Sequence, residues 1–181
     1  MTVHVSERRQ VYTRGRLAFL LRAACADDAP AIVAAINAVC AEGMYMVTEC
    51  YVPTPPWEAV LHAPHECPDH LLLVPQVGGE VVGWCRVFPE HFGGKSRHVA
   101  DVGIGLLEPF RDAGIGTALL LRVIEWAQGQ PLAKLTLSTF ATNRRAIHVF
   151  AKVGFQASGV RHGQYRVNGQ YVDEVLMERP V

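Results

Sequence analysis

The stretch Arg111-Asp112-Ala113-Gly114-Ile115-Gly116 opens on a cation, carries two closely spaced glycines and leads into an apolar stripe at helical spacing. Glycines lack Cβ atoms, so the backbone there can come close to a ligand. The first N–H groups of a helix have no intrahelical partners, and the helix dipole adds potential favourable to anions. Arg111 adds a positive charge. The segment therefore suits an anion of the pyrophosphate kind. Two nucleotide-binding loops are excluded. No Gly-Lys-Ser/Thr is present, which rules out a Walker-type loop. The third small residue of a dinucleotide fingerprint is missing, because Leu119 occupies its place.

A second group able to do chemistry is His62-x2-His65-x-Cys67-x2-His70, four residue types competent to bind zinc. The spacing is too crowded for a recognised zinc module, and Pro64 and Pro68 stiffen it. This segment is read as a loop, and no metal is expected.

Positioning the glycine segment requires a strand before it and a helix after it. His98 to Leu107 supplies the strand. Ile115 to Gln128 supplies the helix, with Ile115, Leu119, Val123 and Ala127 on one face. Upstream, Leu17 to Arg22 reads as a strand. A helix follows from Asp27-Asp28 and Pro30 through Ile32, Val33, Ile36, Val39 and Cys40 to a stop at Gly43. Trp57 to His62 is a short helix after three prolines. Leu71 to Val74 and Val81 to Val87 form a hairpin around Gly78-Gly79. Downstream come a strand at Lys134 to Phe140 and a helix at Asn143 to Val153. Two closing strands, Ala157 to Val167 and Tyr171 to Glu178, turn at Asn168-Gly169. The order β-α-α-β-β-β-α-β-α-β-β predicts a mixed α/β sheet with helices on both faces.

The chain of 181 residues suits one domain, placed at 16–181, with a polar, flexible N-terminal arm over 1–15. Half of the residues are hydrophobic, and 17 basic residues balance 17 acidic ones. That balance argues against nucleic acid as a partner. No apolar run approaches the roughly 20 residues of a membrane span, and the start lacks an apolar signal segment. Five scattered cysteines without a CxxC pair read as reduced thiols, which predicts a cytoplasmic protein. The closing strands offer an edge for pairing, which predicts a homodimer.

Three stretches resemble one family. Ala100 to Gly116 resembles the GCN5-related N-acetyltransferase (GNAT) superfamily, whose signature is Arg/Gln-x-x-Gly-x-Gly/Ala after a strand that ends in a proline-containing turn. Asn143 to Phe155 resembles that family's second helix, starting at asparagine and ending in Gly-Phe. Asn168 to Met177 resembles the last hairpin of bacterial members that acetylate amino acids or polyamines. The resemblance runs from about Leu17 to Arg179. It implies the GNAT fold, a mostly antiparallel sheet splayed where acetyl-coenzyme A enters.

By that resemblance, the backbone at Ile104 and Leu106 bonds the pantetheine arm like an added strand. Backbone groups of Arg111, Asp112, Ala113, Gly114, Ile115, Gly116 and Thr117 hold the pyrophosphate. Asn143 contacts the pantetheine or adenosine side, and Phe150 lies near the thioester sulfur. The acceptor implied is a small primary amine such as an amino acid or polyamine. A protein N-terminus, an antibiotic, or a coenzyme A-binding module of weak activity are the alternatives. An alkyl amine with pKa near ~10.4 is almost wholly protonated at pH 7, so a proton must leave before attack. Asp101 is the candidate base, and the backbone N–H near Leu106 is the candidate oxyanion donor. Glu42 and Glu49 are candidates to attract a cationic amine. Asp101, Gly103 and Gly105 share one strand face if the strand is regular, opposite Val102, Ile104 and Leu106. One departure stands out. Many members carry tyrosine where Phe150 stands, and that tyrosine is thought to protonate the departing thiolate.

Overall fold

The computed structural model describes residues 10–14, 17–67, 69–89 and 94–181. Nine strands form one sheet: β1 (Gln10–Arg14), β2 (Leu17–Ala23), β3 (Leu71–Val77), β4 (Glu80–Val81), β5 (Gly83–Pro89), β6 (Val99–Leu106), β7 (Lys134–Phe140), β8 (Gln156–Val167) and β9 (Gln170–Pro180). Among the described residues four α-helices interrupt them: α1 (Ala29–Ala41), α2 (Pro55–His62), α3 (Ile115–Gln128) and α4 (Arg144–Lys152). The strands lie in the order β1-β2-β3-β5-β6-β7-β9-β8, with the short β4 paired to β3. Among the described residues only the β6–β7 pairing is parallel. The α/β class and the mostly antiparallel sheet agree with the sequence reading. No described helix is long and apolar enough to cross a membrane.

Two apolar clusters sandwich the sheet. Ile115, Leu119, Leu120, Val123 and Ala127 of α3 pack with Phe150 of α4 on one face, against Cys85, Val87, Ala100, Val102, Leu135 and Leu137. On the other face Ile32, Ile36 and Val39 of α1 join Trp57, Val60 and Leu61 of α2 over Leu72, Val74 and Trp84. Arg22 clamps the start of α1 to β2, reaching both Asp28 oxygens at 2.6 and 2.7 Å.

The arm expected over 1–15 needs correction at its end. Gln10–Arg14 pairs in register with Leu17–Leu21, and Tyr12 stacks on Phe19 with ring centroids 5.2 Å apart. An edge strand keeps one face in water, so a polar sequence conceals it. Residues 1–9, 15 and 16 lie outside the described residues. The strand expected over Val81 to Val87 is divided at Val82, whose N–H returns to Pro75 O at 3.0 Å. Both predicted glycine turns form with left-handed backbone: Gly78 and Gly79 at φ 59° and 91°, Asn168 and Gly169 at φ 50° and 81°.

Candidate active site

The β6–β7 ladder is short. Val99, Ala100 and Asp101 stand beside Lys134, Leu135 and Thr136, and no pairing continues beyond them. Yet β6 runs on to Leu106 and β7 to Phe140. From Val102 and Leu137 onward the strands part and leave a gap in the middle of the sheet. On its other side β6 stays paired with β5 without a bulge, from Pro89↔Ala100 to Gly83↔Leu106.

That unbroken register decides which backbone groups face the gap. Leu107 N–H donates to Val82 O at 3.0 Å, so Leu107 points at the β5 side. Antiparallel partners alternate between pointing at each other and pointing away. Gly105 therefore points at β5, whereas Ile104 and Leu106 turn their N–H and C=O into the gap. Arg111 Nε donates to Leu106 O at 2.9 Å from that side. The Leu107 N–H is already used, whereas the Leu106 N–H faces the gap without a strand partner.

The gap ends at the glycine segment. Asp112 (φ 60°) and Gly114 (φ 82°) turn the chain through left-handed backbone into α3. The first ladder bond of that helix is Ala118 N–H to Gly114 O at 3.0 Å. The N–H groups of Ile115, Gly116 and Thr117 thus lie upstream of the ladder, with no intrahelical acceptor. Gly116 is informative for a different reason. A Cβ there would meet only Leu106 Cδ1, at 3.8 Å, an ordinary contact. Nothing in the fold requires a glycine at 116, although glycine is a poor helix residue. The space it leaves lies beside unpartnered N–H groups and suits a pyrophosphate.

The Arg111 side chain does not face that space. Its Nη1 donates to Glu42 Oε2 at 2.7 Å, Nη2 reaches Oε1, and the guanidinium stacks on Tyr45 at 5.0 Å. The hydrogen bonds to Glu42 hold the guanidinium pKa above its ordinary value. The positive charge expected beside an anion is therefore neutralised, and Glu42 is withdrawn from attracting an amine. The fork instead ties the loop after α1 to the end of β6. Glu49 is exposed in the same loop.

On the face shared with α1 and α2, the space over Gly103 and Gly105 is filled. Trp84 lies across Gly105, and a Cβ at Gly103 would meet Arg86 Nε at 2.8 Å. Asp101 shares this face and pairs with Arg86, Nη1 to Oδ2 at 2.8 Å. Sequence reasoning passed over Arg86. The signal was present, a charged residue inside the apolar run Trp84 to Phe88. It also passed over Glu174, which is 3% exposed. Glu174 accepts from Ser138 Oγ at 2.6 Å, Tyr165 Oη at 2.7 Å and Arg161 Nη1 at 2.8 Å. Burial opposes its charge, but these three partners hold its carboxyl below the ordinary range. Burial and the Glu174 contact push the Tyr165 phenol up to about 12.

The model of the Acetyltransferase (GNAT) family matches residues 41–155, a stretch that holds the gap, the glycine turn and α4. The chain belongs to the GNAT acetyltransferase family. Among curated relatives, an L-amino acid N-acetyltransferase, AaaT of Escherichia coli K12, is 32% identical over 59% of this chain and 66% of its own length. The chain thus spans just under two thirds of that relative. A GNAT acetyltransferase from Streptococcus pneumoniae superposes with a TM-score of 0.82 at 26% identity, over 90% of this chain and 99% of that one. YncA of Salmonella typhimurium, solved with its cofactor acetyl-CoA, shares the fold at 18% identity with a TM-score of 0.81, over 90% and 93%.

Against the other positions the GNAT resemblance named, the structure gives mixed placements. Asn143 caps α4, its Oδ1 accepting from Ala146 N–H at 3.2 Å. Phe150 is 5% exposed and packs within the α3–α4 cluster, its ring 6.2 Å from Phe155. Asp112 is held to α4 by Arg145 at 3.4 Å. The histidine-rich segment is spread out. His62 ends α2 and is exposed, while His70 packs edge-on against Phe88 at 4.8 Å. Among the described residues no three His, Cys, Asp or Glu groups converge on a metal position, and the His65 side chain lies outside them.

Proposed function

We propose that the protein transfers the acetyl group of acetyl-CoA to a primary amine of a small molecule within a ternary complex. One observation carries this reading. β6 and β7 part after Asp101 and Thr136, and the gap turns the backbone of Ile104 and Leu106 toward a space that ends at Gly116. An extended pantetheine arm fits such a half-empty ladder, because main-chain groups there lack strand partners. Ile104 and Leu106 would hold the arm, and the segment from Arg111 to Thr117 the pyrophosphate through its backbone. Acetyl-CoA supplies an activated acyl group whose leaving atom is a thiolate.

The chain's own part is to place an amine, free it of a proton and polarise a carbonyl. Leu106 N–H is the proposed donor to the carbonyl oxygen. Asp101 Oδ1 or Oδ2 is the proposed proton acceptor, directly or through water, steadied by Arg86. Neither role needs Phe150, which has no proton to give. A thiol of pKa near ~8.5 is a tolerable leaving group without an acid. The amino-acid acceptor named for AaaT supports a small amine. The five free thiols support a reducing, cytoplasmic setting. Pairing of two copies along the edge strand β8 belongs to the same proposal.

Release of free thiol from acetyl-CoA over a panel of amines tests the reading. Thiol release with small amines and none without them is expected. Tight coenzyme A binding with no release for any amine would instead favour a binding module, the reading that the buried Phe150 supports. Absence of coenzyme A binding would refute both.

A further inference from the structure

Tyr51 carries a polar atom that the fold leaves unsatisfied. Its hydroxyl is buried and has no hydrogen-bond partner. Burial pushes the phenol up to about 12, against the pull of the nearby Arg86 charge. The backbone around it is held firmly. Asn37 of α1 donates Nδ2–H to Tyr51 O at 3.2 Å and accepts Tyr51 N–H on Oδ1 at 2.8 Å. A residue anchored on both sides of its peptide and left with an idle hydroxyl points to an absent partner.

The ring sits at the end of an aromatic row that leads to the gap. Tyr51 meets Trp57 edge-on at 6.4 Å, Trp57 meets Phe88 at 4.8 Å, and the Arg86 guanidinium stacks over Phe88 at 4.9 Å. Arg86 in turn crosses Gly103, a residue within the splayed part of β6. Asp101 sits beside it at 2.8 Å. A guanidinium carries five donors in a fork, so pairing with one carboxylate oxygen leaves capacity for a second carboxylate.

Resting on the acetyltransferase reading, we propose that Arg86 and Tyr51 bind the carboxylate of the acceptor, which is an amine bearing a carboxylate on the adjacent carbon. In that pose the amine falls on the Asp101 side of Arg86, over the strand that lines the gap. A polyamine offers the guanidinium only like charge and leaves the Tyr51 hydroxyl unpaired. A protein N-terminus has an amide where the free acid has its anion. The site therefore selects free amino acids over both. Arg86 and Tyr51 are specificity-determining residues.

The test compares L-leucine with 3-methylbutylamine, the same molecule without its carboxylate, and with spermidine. Wild-type protein is expected to favour leucine by about 100-fold in kcat/KM. Arg86→Met should lower kcat/KM for leucine about 100-fold more than for 3-methylbutylamine, the excess chiefly through KM, because both acceptors share only the loss of the Arg86 hold on Asp101. Arg86→Lys should recover part of the loss. Tyr51→Phe, which removes only the idle hydroxyl and keeps the ring, should raise KM for leucine by about 5-fold. Affinity for coenzyme A, measured by calorimetry, should not change in any variant. Equal use of leucine and 3-methylbutylamine by the wild type would overturn the proposal. So would an equal loss with both acceptors in Arg86→Met. If no amine turns over, binding of the two compounds to the coenzyme A complex makes the same comparison, and lack of preference for the acid overturns it. Failure to bind coenzyme A would count against the acetyltransferase reading; binding of leucine and 3-methylbutylamine to the free protein would then make the comparison, and lack of preference for the acid would overturn the proposal as well.

Discussion

Replacing Gly116 by leucine should move stability and cofactor affinity in opposite directions. The position lies in the first turn of α3 with ordinary backbone, and an added Cβ meets only Leu106 Cδ1, at 3.8 Å. Leucine is the better helix former by about 0.5–0.8 kcal/mol, and it orders a freer unfolded chain. For a chain of this size each kcal/mol is worth about 2–4 °C in Tm, so a rise of about 1–3 °C is expected. The same side chain occupies the space proposed for the pyrophosphate. Loss of at least about 100-fold in coenzyme A affinity follows, or about 2.8 kcal/mol at 1.4 per tenfold. Calorimetry measures the affinity and thermal denaturation the stability. Unchanged affinity in a folded variant refutes the cradle. Lost affinity together with a Tm drop of more than about 5 °C refutes the argument that the fold does not need this glycine. Gly105→Ala is the contrasting control. Its Cβ would fall inside the Trp84 ring, so it should unfold easily for packing reasons alone.

Three further outcomes are expected. Glu42→Ala leaves Arg111, whose side chain is 12% exposed, without its partner; Glu42 itself is 26% exposed, so a loss of about 1–2 kcal/mol is expected in urea unfolding. Cys25 and Cys50 are exposed and should react quickly with a thiol reagent, whereas Cys40 and Cys85 are buried, burial pushing the Cys85 thiol up to about 12, and should react only on unfolding. Asp28 and Glu174 are both held below the ordinary carboxyl range, burial opposing and their hydrogen bonds prevailing. A depressed carboxyl contributes stability that is complete above its unfolded pKa, so stability should be level from neutral pH to about pH 5 and fall below about pH 4. A titration of Tm against pH that falls first above pH 5 would contradict this.

The parts of this fold that were legible before the structure are those with local signatures. α3 and β7 lie where helical and alternating patterns put them, because Ile115, Leu119 and Val123, or Leu135 and Leu137, bury one face. The turns at Gly78 and Gly169 were legible because left-handed backbone selects glycine. What stayed hidden was contact between residues far apart in the chain. Glu42 and Arg111 are 69 residues apart, and no local pattern foretells that the loop cation meets a carboxylate. The cover over the glycine face of β6, Trp84 and Arg86, comes from the neighbouring strand, so nothing within β6 foretells it. The idle Tyr51 hydroxyl exists only once Asn37 has fixed the loop.

The three residue pairs between β6 and β7 also have a mechanical meaning. Among the described residues they are the only ladder joining the sheet half β1–β6 to the half β7–β9, so the gap acts as a slit with its apex at Asp101. A ligand lodged in a slit is a splint. It resists shear between the halves and covers backbone that would otherwise exchange its amide hydrogens with water. Ligand at a hundred times its Kd adds about 2.7 kcal/mol to the folded state. Slowed exchange should be concentrated at Ile104 and Leu106 and absent from the outer strands β1 and β8. The supply of the cofactor would then govern how long the folded protein survives, as well as how fast it works.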